Sequence, residues 1–128
     1  MKQLIGIILI LLSINLWSTL AAASQGCKYV SEGAVQQTWK KIRIQSLSGS
    51  FIAGADNFSE AISMGQSLVD SQICSAKVQD CRMASEGIVG GVWMKHRIQM
   101  DGEMVFGADN MATALSLLSD LRRLGFCQ

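Results

Sequence analysis

Two short segments carry the residues with the most usable chemistry, residues 39–45 (WKKIRIQ) and residues 93–99 (WMKHRIQ). Tryptophan offers a flat apolar ring that stacks on sugars, and lysine and arginine donate to carboxylate, phosphate or sulfate. Alternate side chains of a continuous strand share one face. The pattern therefore predicts a duplicated ligand-binding surface on one strand face of each segment, made of Trp39, Lys41, Arg43 and Gln45 and of Trp93, Lys95, Arg97 and Gln99.

The same strand face also has a structural interpretation. In it, Arg43 and Lys41 form ion pairs with Asp56 and Glu32, and Trp39 covers a disulfide. A fold that needs such contacts keeps them in both segments whether or not a ligand binds. Both interpretations stay open at this point.

Catalytic patterns are weak. The chain has one histidine, His96, and isoleucine stands at the equivalent position of the first segment. Neither a nucleophile elbow nor a phosphate-binding glycine loop occurs. Asp56 and Asp109 could form an acid dyad, but the Asp-Asn pair that each belongs to is typical of a helix start. We expect no catalytic residue, and a hydrolase with repeated acidic residues ranks third among the functional hypotheses.

Four cysteines indicate two disulfides in an exported chain. They form no Cys-x-x-Cys motif, and one histidine cannot complete a zinc site, so we expect no metal and no cofactor. Three pairings are possible, and internal symmetry does not choose between them. A single ancestral unit would need its own crosslink, which favours Cys27–Cys74 and Cys81–Cys127.

The chain repeats itself over most of its length. The segment CKYVSEG at residues 27–33 returns as CRMASEG at residues 81–87, and GADN at 54–57 returns at 107–110. Such self-similarity predicts a tandem duplication with repeats at residues 27–74 and 81–127.

Each repeat predicts three strands and one helix. A first strand begins at the cysteine, a hairpin follows around a Gly-containing turn, and the helix begins after Asp-Asn. Glycines 87, 90 and 91 are interpreted as strand distortions. The expected fold is α+β: a duplicated β-β-β-α unit with an antiparallel sheet, two helices packed on it, and one disulfide in each repeat.

The first residues predict a secretory signal. Lys2 precedes the apolar run Leu4–Leu12, and the small residues Ala21–Ala23 follow. We expect a signal peptide at residues 1–23 and one exported domain at residues 24–128, periplasmic or secreted. The alternatives are an uncleaved membrane anchor, since the apolar segment has about the right length, and lipidation of Cys27.

Loss of Lys2 would leave ten basic and ten acidic residues. A neutral chain lacks the cationic excess that attracts nucleic acid or a membrane surface, so we expect no nucleic-acid partner and membrane contact only through the uncleaved signal segment. The leading hypothesis is a small exported binding module that is not an enzyme, whose partner is a protein or an anionic or glycan envelope component. The alternative is an envelope structural or assembly protein. Sequence leaves the oligomeric state open.

Overall fold

A computed structural model describes residues 25–128 of the chain. The predicted signal peptide, residues 1–23, lies outside the described residues. Among residues 25–128, no helix is long and apolar enough to cross a membrane.

Eleven strands and two helices make up the described part of the chain. The first half contains β1 (Gln25–Val30), β2 (Gly33–Val35), β3 (Thr38–Lys40), β4 (Ile42–Ser46), β5 (Phe51–Ala55), α1 (Phe58–Asp70) and β6 (Cys74–Ala76). The second half contains β7 (Cys81–Ala84), β8 (Gly87–Val89), β9 (Val92–Met94), β10 (His96–Met100), β11 (Glu103–Ala108) and α2 (Met111–Arg123).

The strands form two main sheets and two small hairpins. One sheet has the order β5-β4-β1-β6 and the other the order β11-β10-β7, while β2–β3 and β8–β9 stand apart as hairpins. All pairs are antiparallel except β1 with β6 and a single bridge between Gln79 and Cys127. The fold is therefore α+β with mostly antiparallel sheets.

The prediction of three strands before each helix was wrong, because five strands precede each one. Two additional short strands, β2 and β3, precede β4 because the chain reverses at Gln36-Gln37, whose φ angles are 50° and 69°. The second half reverses at Gly90-Gly91, with φ of 58° and 77°. Two left-handed residues in succession form the tight turn of a two-residue hairpin. Gly90 and Gly91 thus make a turn rather than distort a strand.

Both helices begin where the Asp-Asn pairs predict. The side chain of Asn57 accepts from the amide of Glu60 at 2.9 Å, and that of Asn110 accepts from the amide of Thr113 at 2.8 Å. Glu60 reaches back to the amide of Asp56 at 3.4 Å. These contacts satisfy amides that the first helical turn leaves without partners.

A single hydrophobic core joins the two halves. Tyr29 of β1 packs edge-on against Phe106 of β11, with ring centroids 5.1 Å apart, and contacts Phe126 at 4.7 Å. All three rings are almost completely buried. Because neither half encloses these rings alone, the halves depend on each other for their core.

Two disulfides staple the chain, Cys27–Cys74 and Cys81–Cys127. Both predicted pairings are confirmed. Disulfides of this kind form and persist in an oxidising compartment outside the cytosol.

Candidate functional site

The two predicted tryptophans stand on the outer faces of the small hairpins. Trp39 lies opposite Ala34 and is 62% exposed, and Trp93 lies opposite Ile88 and is 59% exposed. The inner face of each hairpin covers the adjoining sheet, since Lys40 packs on Gly54 in the first half. A large aromatic side chain exposed to this degree is available to a partner.

The first hairpin turn carries two amide side chains close in sequence to Trp39. Gln36 and Gln37 are exposed and both adopt left-handed backbone angles. Each non-glycine residue in this region costs about 1–2 kcal/mol, and Gly90-Gly91 avoids that cost at the equivalent turn. The first half thus keeps two glutamine side chains at a turn where glycine would be less strained.

The predicted lysines lie between the hairpins and the main sheets. Lys41 and Lys95 are exposed residues that separate β3 from β4 and β9 from β10. Lys41 also borders a cleft of about 190 Å³ between the two halves. The inner face of the second hairpin, the start of α1 and part of β11 also line this cleft, with Val89, Val92, Met94, Asn57, Phe58 and Val105 among its lining residues.

The two arginines make closely matched contacts with the backbone. Nε of Arg43 donates to the carbonyl of Ser31 at 2.9 Å, and Nε of Arg97 donates to that of Ser85 at 2.8 Å. The guanidinium of Arg43 lies so close to Gly33 that a Cβ there would collide with it. Arg97 contacts Gly87 in the same way. A side chain with a local role of this kind supports the structural interpretation of the arginines.

The structural interpretation expected Lys41 and Arg43 to form ion pairs with Asp56 and Glu32, and the structure has a different ion pair. Lys40, rather than Lys41 or Arg43, approaches Asp56, with Nζ 3.8 Å from the carboxylate. Met94 takes the place of Lys40 in the second half and packs on Gly107. Trp39 is exposed on the outer face of its hairpin, whereas the Cys27–Cys74 disulfide lies in the hydrophobic core.

Arg43 and Gln45 line a second, polar groove of about 360 Å³. The groove is bounded by both halves of the chain, with Lys28, Gln79, Asp101 and Glu103 among its other lining residues. Sequence analysis missed these four, because residues 28 and 103 are brought together only when the halves pack. The predicted strand face is therefore divided between a hairpin, a cleft edge and this groove.

Within residues 25–128, no group of histidine, cysteine, aspartate or glutamate side chains is arranged to hold a metal ion. Asp56 and Asp109 are both exposed residues next to a helix cap. His96 lies on β10 opposite Ala108. The expectation of no catalytic residue stays a prediction.

Comparison of the chain with protein-family models, curated proteins and solved structures finds no match.

Proposed function

We propose that this protein is a small exported binding module, without catalytic activity, that attaches to an envelope glycan through its first hairpin. The observation that carries this proposal is the exposed Trp39 ring on the same hairpin as Gln36 and Gln37, which hold strained backbone angles. A flat aromatic ring stacks on the apolar face of a sugar. Amide side chains both donate and accept hydrogen bonds, as sugar hydroxyl groups do.

The strained turn favours a role for the two glutamines. A residue that keeps a strained backbone conformation where glycine would relieve the strain indicates a functional role at that position. Nothing in the hairpin packing requires the amides, since both side chains are exposed. Contact with a ligand is a physical reason to keep them.

A glycan suits the first hairpin better than a protein does. The residue opposite Trp39 is the small Ala34, so no second large apolar side chain extends the surface of the ring at this pair. Protein interfaces bury contiguous apolar areas at their centres. The second hairpin is more apolar on its outer face, where Ile88 and Trp93 are paired and both exposed, and we assign the glycan to the first.

We further infer that the protein arose by duplication of one unit with one disulfide, and that a cleaved signal peptide exports it to the periplasm or beyond. The repeated sequence segments and the order of strands and helix in residues 27–74 and 81–127 support the duplication. The disulfides and the apolar run Leu4–Leu12 support export.

The test is co-sedimentation of the mature, oxidised protein with insoluble glycans, namely purified peptidoglycan, chitin and cellulose. Replacement of Trp39 by Ala should weaken binding at least tenfold, about 1.4 kcal/mol. Trp93→Ala is the matched control and should have a smaller effect. The double change Gln36→Gly with Gln37→Gly should weaken binding but raise stability. Relief of the left-handed backbone at two residues gives about 2–4 kcal/mol, and the entropy that each glycine loses on folding takes back about 0.5–1 kcal/mol, which leaves a net gain of about 1–2 kcal/mol.

Opposite effects on binding and stability distinguish a ligand contact from a structural one. Failure of all three glycans to retain the protein would overturn the proposal. Equal losses from Trp39→Ala and Trp93→Ala, with none from the glycine variant, would also overturn it. A stability loss in the glycine variant would instead favour the alternative of an envelope structural protein.

A further inference from the structure

The polar groove between the two halves has walls of opposite charge. Lys28 and Arg43 stand on the sheet of the first half, on the side away from the core, with Gln45 beside them. Asp101 and Glu103 come from the turn and strand that follow β10 in the second half. Opposite charges that face one groove provide a field suited to a ligand with two opposite charges.

Gln79 is the buried polar residue of the groove. It is only 2% exposed, and its Nε2 has no hydrogen-bond partner within the described part of the chain. Its backbone is held firmly, since its amide donates to Phe126 at 2.9 Å and its carbonyl accepts from Gln128 at 3.2 Å. Buried amide nitrogens nearly always have an acceptor. Gln79 lines this groove, and an acceptor bound there would supply the partner that its donor lacks.

The charged side chains of the groove have groups that remain available to a ligand. Lys28 and Glu103 form no ion pair with any residue between 25 and 128. Arg43 donates only through Nε in that range, which leaves its two terminal nitrogens for a ligand.

Of the two acidic residues that line the groove, Asp101 already contacts other residues of the protein. Its carboxylate lies 3.8 Å from Nζ of Lys77 and accepts from the amide of Asp80 at 2.8 Å. Because Asp101 already contacts a cation and an amide, Glu103 is the carboxylate that remains for a cationic group.

We propose that this groove binds a small zwitterion, a free amino acid or short peptide that carries both a carboxylate and an ammonium group. The carboxylate accepts from Gln79 and faces Lys28 and Arg43, and the ammonium group faces Glu103. A volume of about 360 Å³ is at the small end of ligand sites. The site is separate from the first hairpin, so it does not depend on the glycan proposal.

The experiment uses the mature, oxidised protein labelled with ¹⁵N and titrated with alanyl-alanine. We expect saturable NMR shift changes at the amides of Lys28, Gln79 and Glu103. N-acetyl-alanyl-alanine lacks the ammonium group and alanyl-alanine amide lacks the carboxylate. Each should bind at least tenfold more weakly than alanyl-alanine.

Variants assign the two ends of the ligand. Glu103→Gln should weaken alanyl-alanine at least tenfold and leave the acetylated peptide unaffected, with Glu86→Gln as the control for charge. Lys28→Gln should weaken both peptides, with Lys95→Gln as its control. Gln79→Leu should abolish binding without lowering the melting temperature, because it removes an unsatisfied polar atom.

Several results would overturn the proposal. If the NMR shift changes do not saturate at millimolar alanyl-alanine, the peptide does not bind in the groove. The partner of the Gln79 amide is then a buried water molecule. Equal binding of alanyl-alanine and both blocked peptides would mean that the charged walls do not recognise a zwitterion. A fall in melting temperature for Gln79→Leu, with peptide binding intact, would show that the amide serves the fold.

Discussion

The hydroxyl of Tyr29 occupies the space that a side chain on Gly65 would fill. Tyr29 donates to the carbonyl of Ala61 at 3.0 Å, one turn before Gly65 on α1. In the second half, methionine and leucine stand at the positions equivalent to Tyr29 and Gly65, as Met83 and Leu118. The first half fills this layer with a large strand residue and a small helix residue. The second half fills it with a smaller strand residue and a larger helix residue, as close packing requires.

Gly65→Ala should therefore destabilise the protein. The added methyl group meets the Tyr29 hydroxyl, and overpacking costs about 1–3 kcal/mol. Alanine regains about 1 kcal/mol of helix propensity, so the net loss in urea unfolding should be about 1 kcal/mol. Gln66→Ala, on the exposed side of the same helix, is the control. Adding Tyr29→Phe should recover part of the loss, and strictly additive effects would contradict this account.

Arg43→Ala should cost more stability than Arg97→Ala. Both changes remove a hydrogen bond to a backbone carbonyl, but Arg43 also lies over the ring of Phe51, with Cζ 4.0 Å from the ring centroid. Methionine stands at the equivalent position of the second half, as Met104. The difference should be about 0.5–1 kcal/mol, measured by thermal unfolding. In a Phe51→Leu background the difference should disappear, and its persistence would show that the ring contributes nothing.

Tyr29 should make the protein less stable in alkali. Burial raises the pKa of its hydroxyl well above the ordinary value of 10.0. The unfolded chain releases this proton near pH 10, whereas the folded protein keeps it. Stability from this group is thus complete below pH 10 and falls above it, by up to about 1.4 kcal/mol per pH unit.

Two measurements check the tyrosine prediction. Tyr29 is the one tyrosine of the chain, so phenolate absorbance reports it alone and should rise only as the protein unfolds. Tyr29→Phe should flatten the decline of stability between pH 9 and pH 11 relative to the unsubstituted protein. Phenolate absorbance that rises near pH 10 in the folded state would refute the prediction.

The two disulfides should differ in their resistance to reduction. Cys27 and Cys74 are both buried, whereas Cys81 is partly exposed. Under native conditions a mild reductant should open Cys81–Cys127 first, as followed by timed alkylation and mass spectrometry. Replacing either pair by serine should cost about 4 kcal/mol in the chain-entropy estimate, and earlier opening of the buried pair would contradict the assignment.

Several elements were predictable because their determinants are local. The helix starts follow from Asp-Asn and the spacing of apolar residues, which act within one or two turns. The hairpin of β4 and β5 follows from the turn at Ser48-Gly49-Ser50. The disulfide pairs were predicted on the argument that each repeat needs its own crosslink, and both bonds are present in the structure.

The small hairpins were missed for a local reason as well. Gln36-Gln37 contains neither asparagine nor glycine, so it carries no ordinary signal of a tight turn. Gly90-Gly91 does carry such a signal, but it was interpreted as a strand distortion. The bend at Lys41, between β3 and β4, then separates Trp39 from the strand that holds Arg43 and Gln45.

Sequence by itself determined the helix caps and the two similar sequence segments, because each depends on residue type at short or repeated spacing, and it favoured one of three cysteine pairings, which the structure then selected. Only the tertiary structure decided which polar groups meet. Arg43 is held by a backbone carbonyl, which no side-chain pattern reveals. The groove at Gln79 exists because packing of a shared core brings together segments more than 50 residues apart, from Lys28 to Glu103.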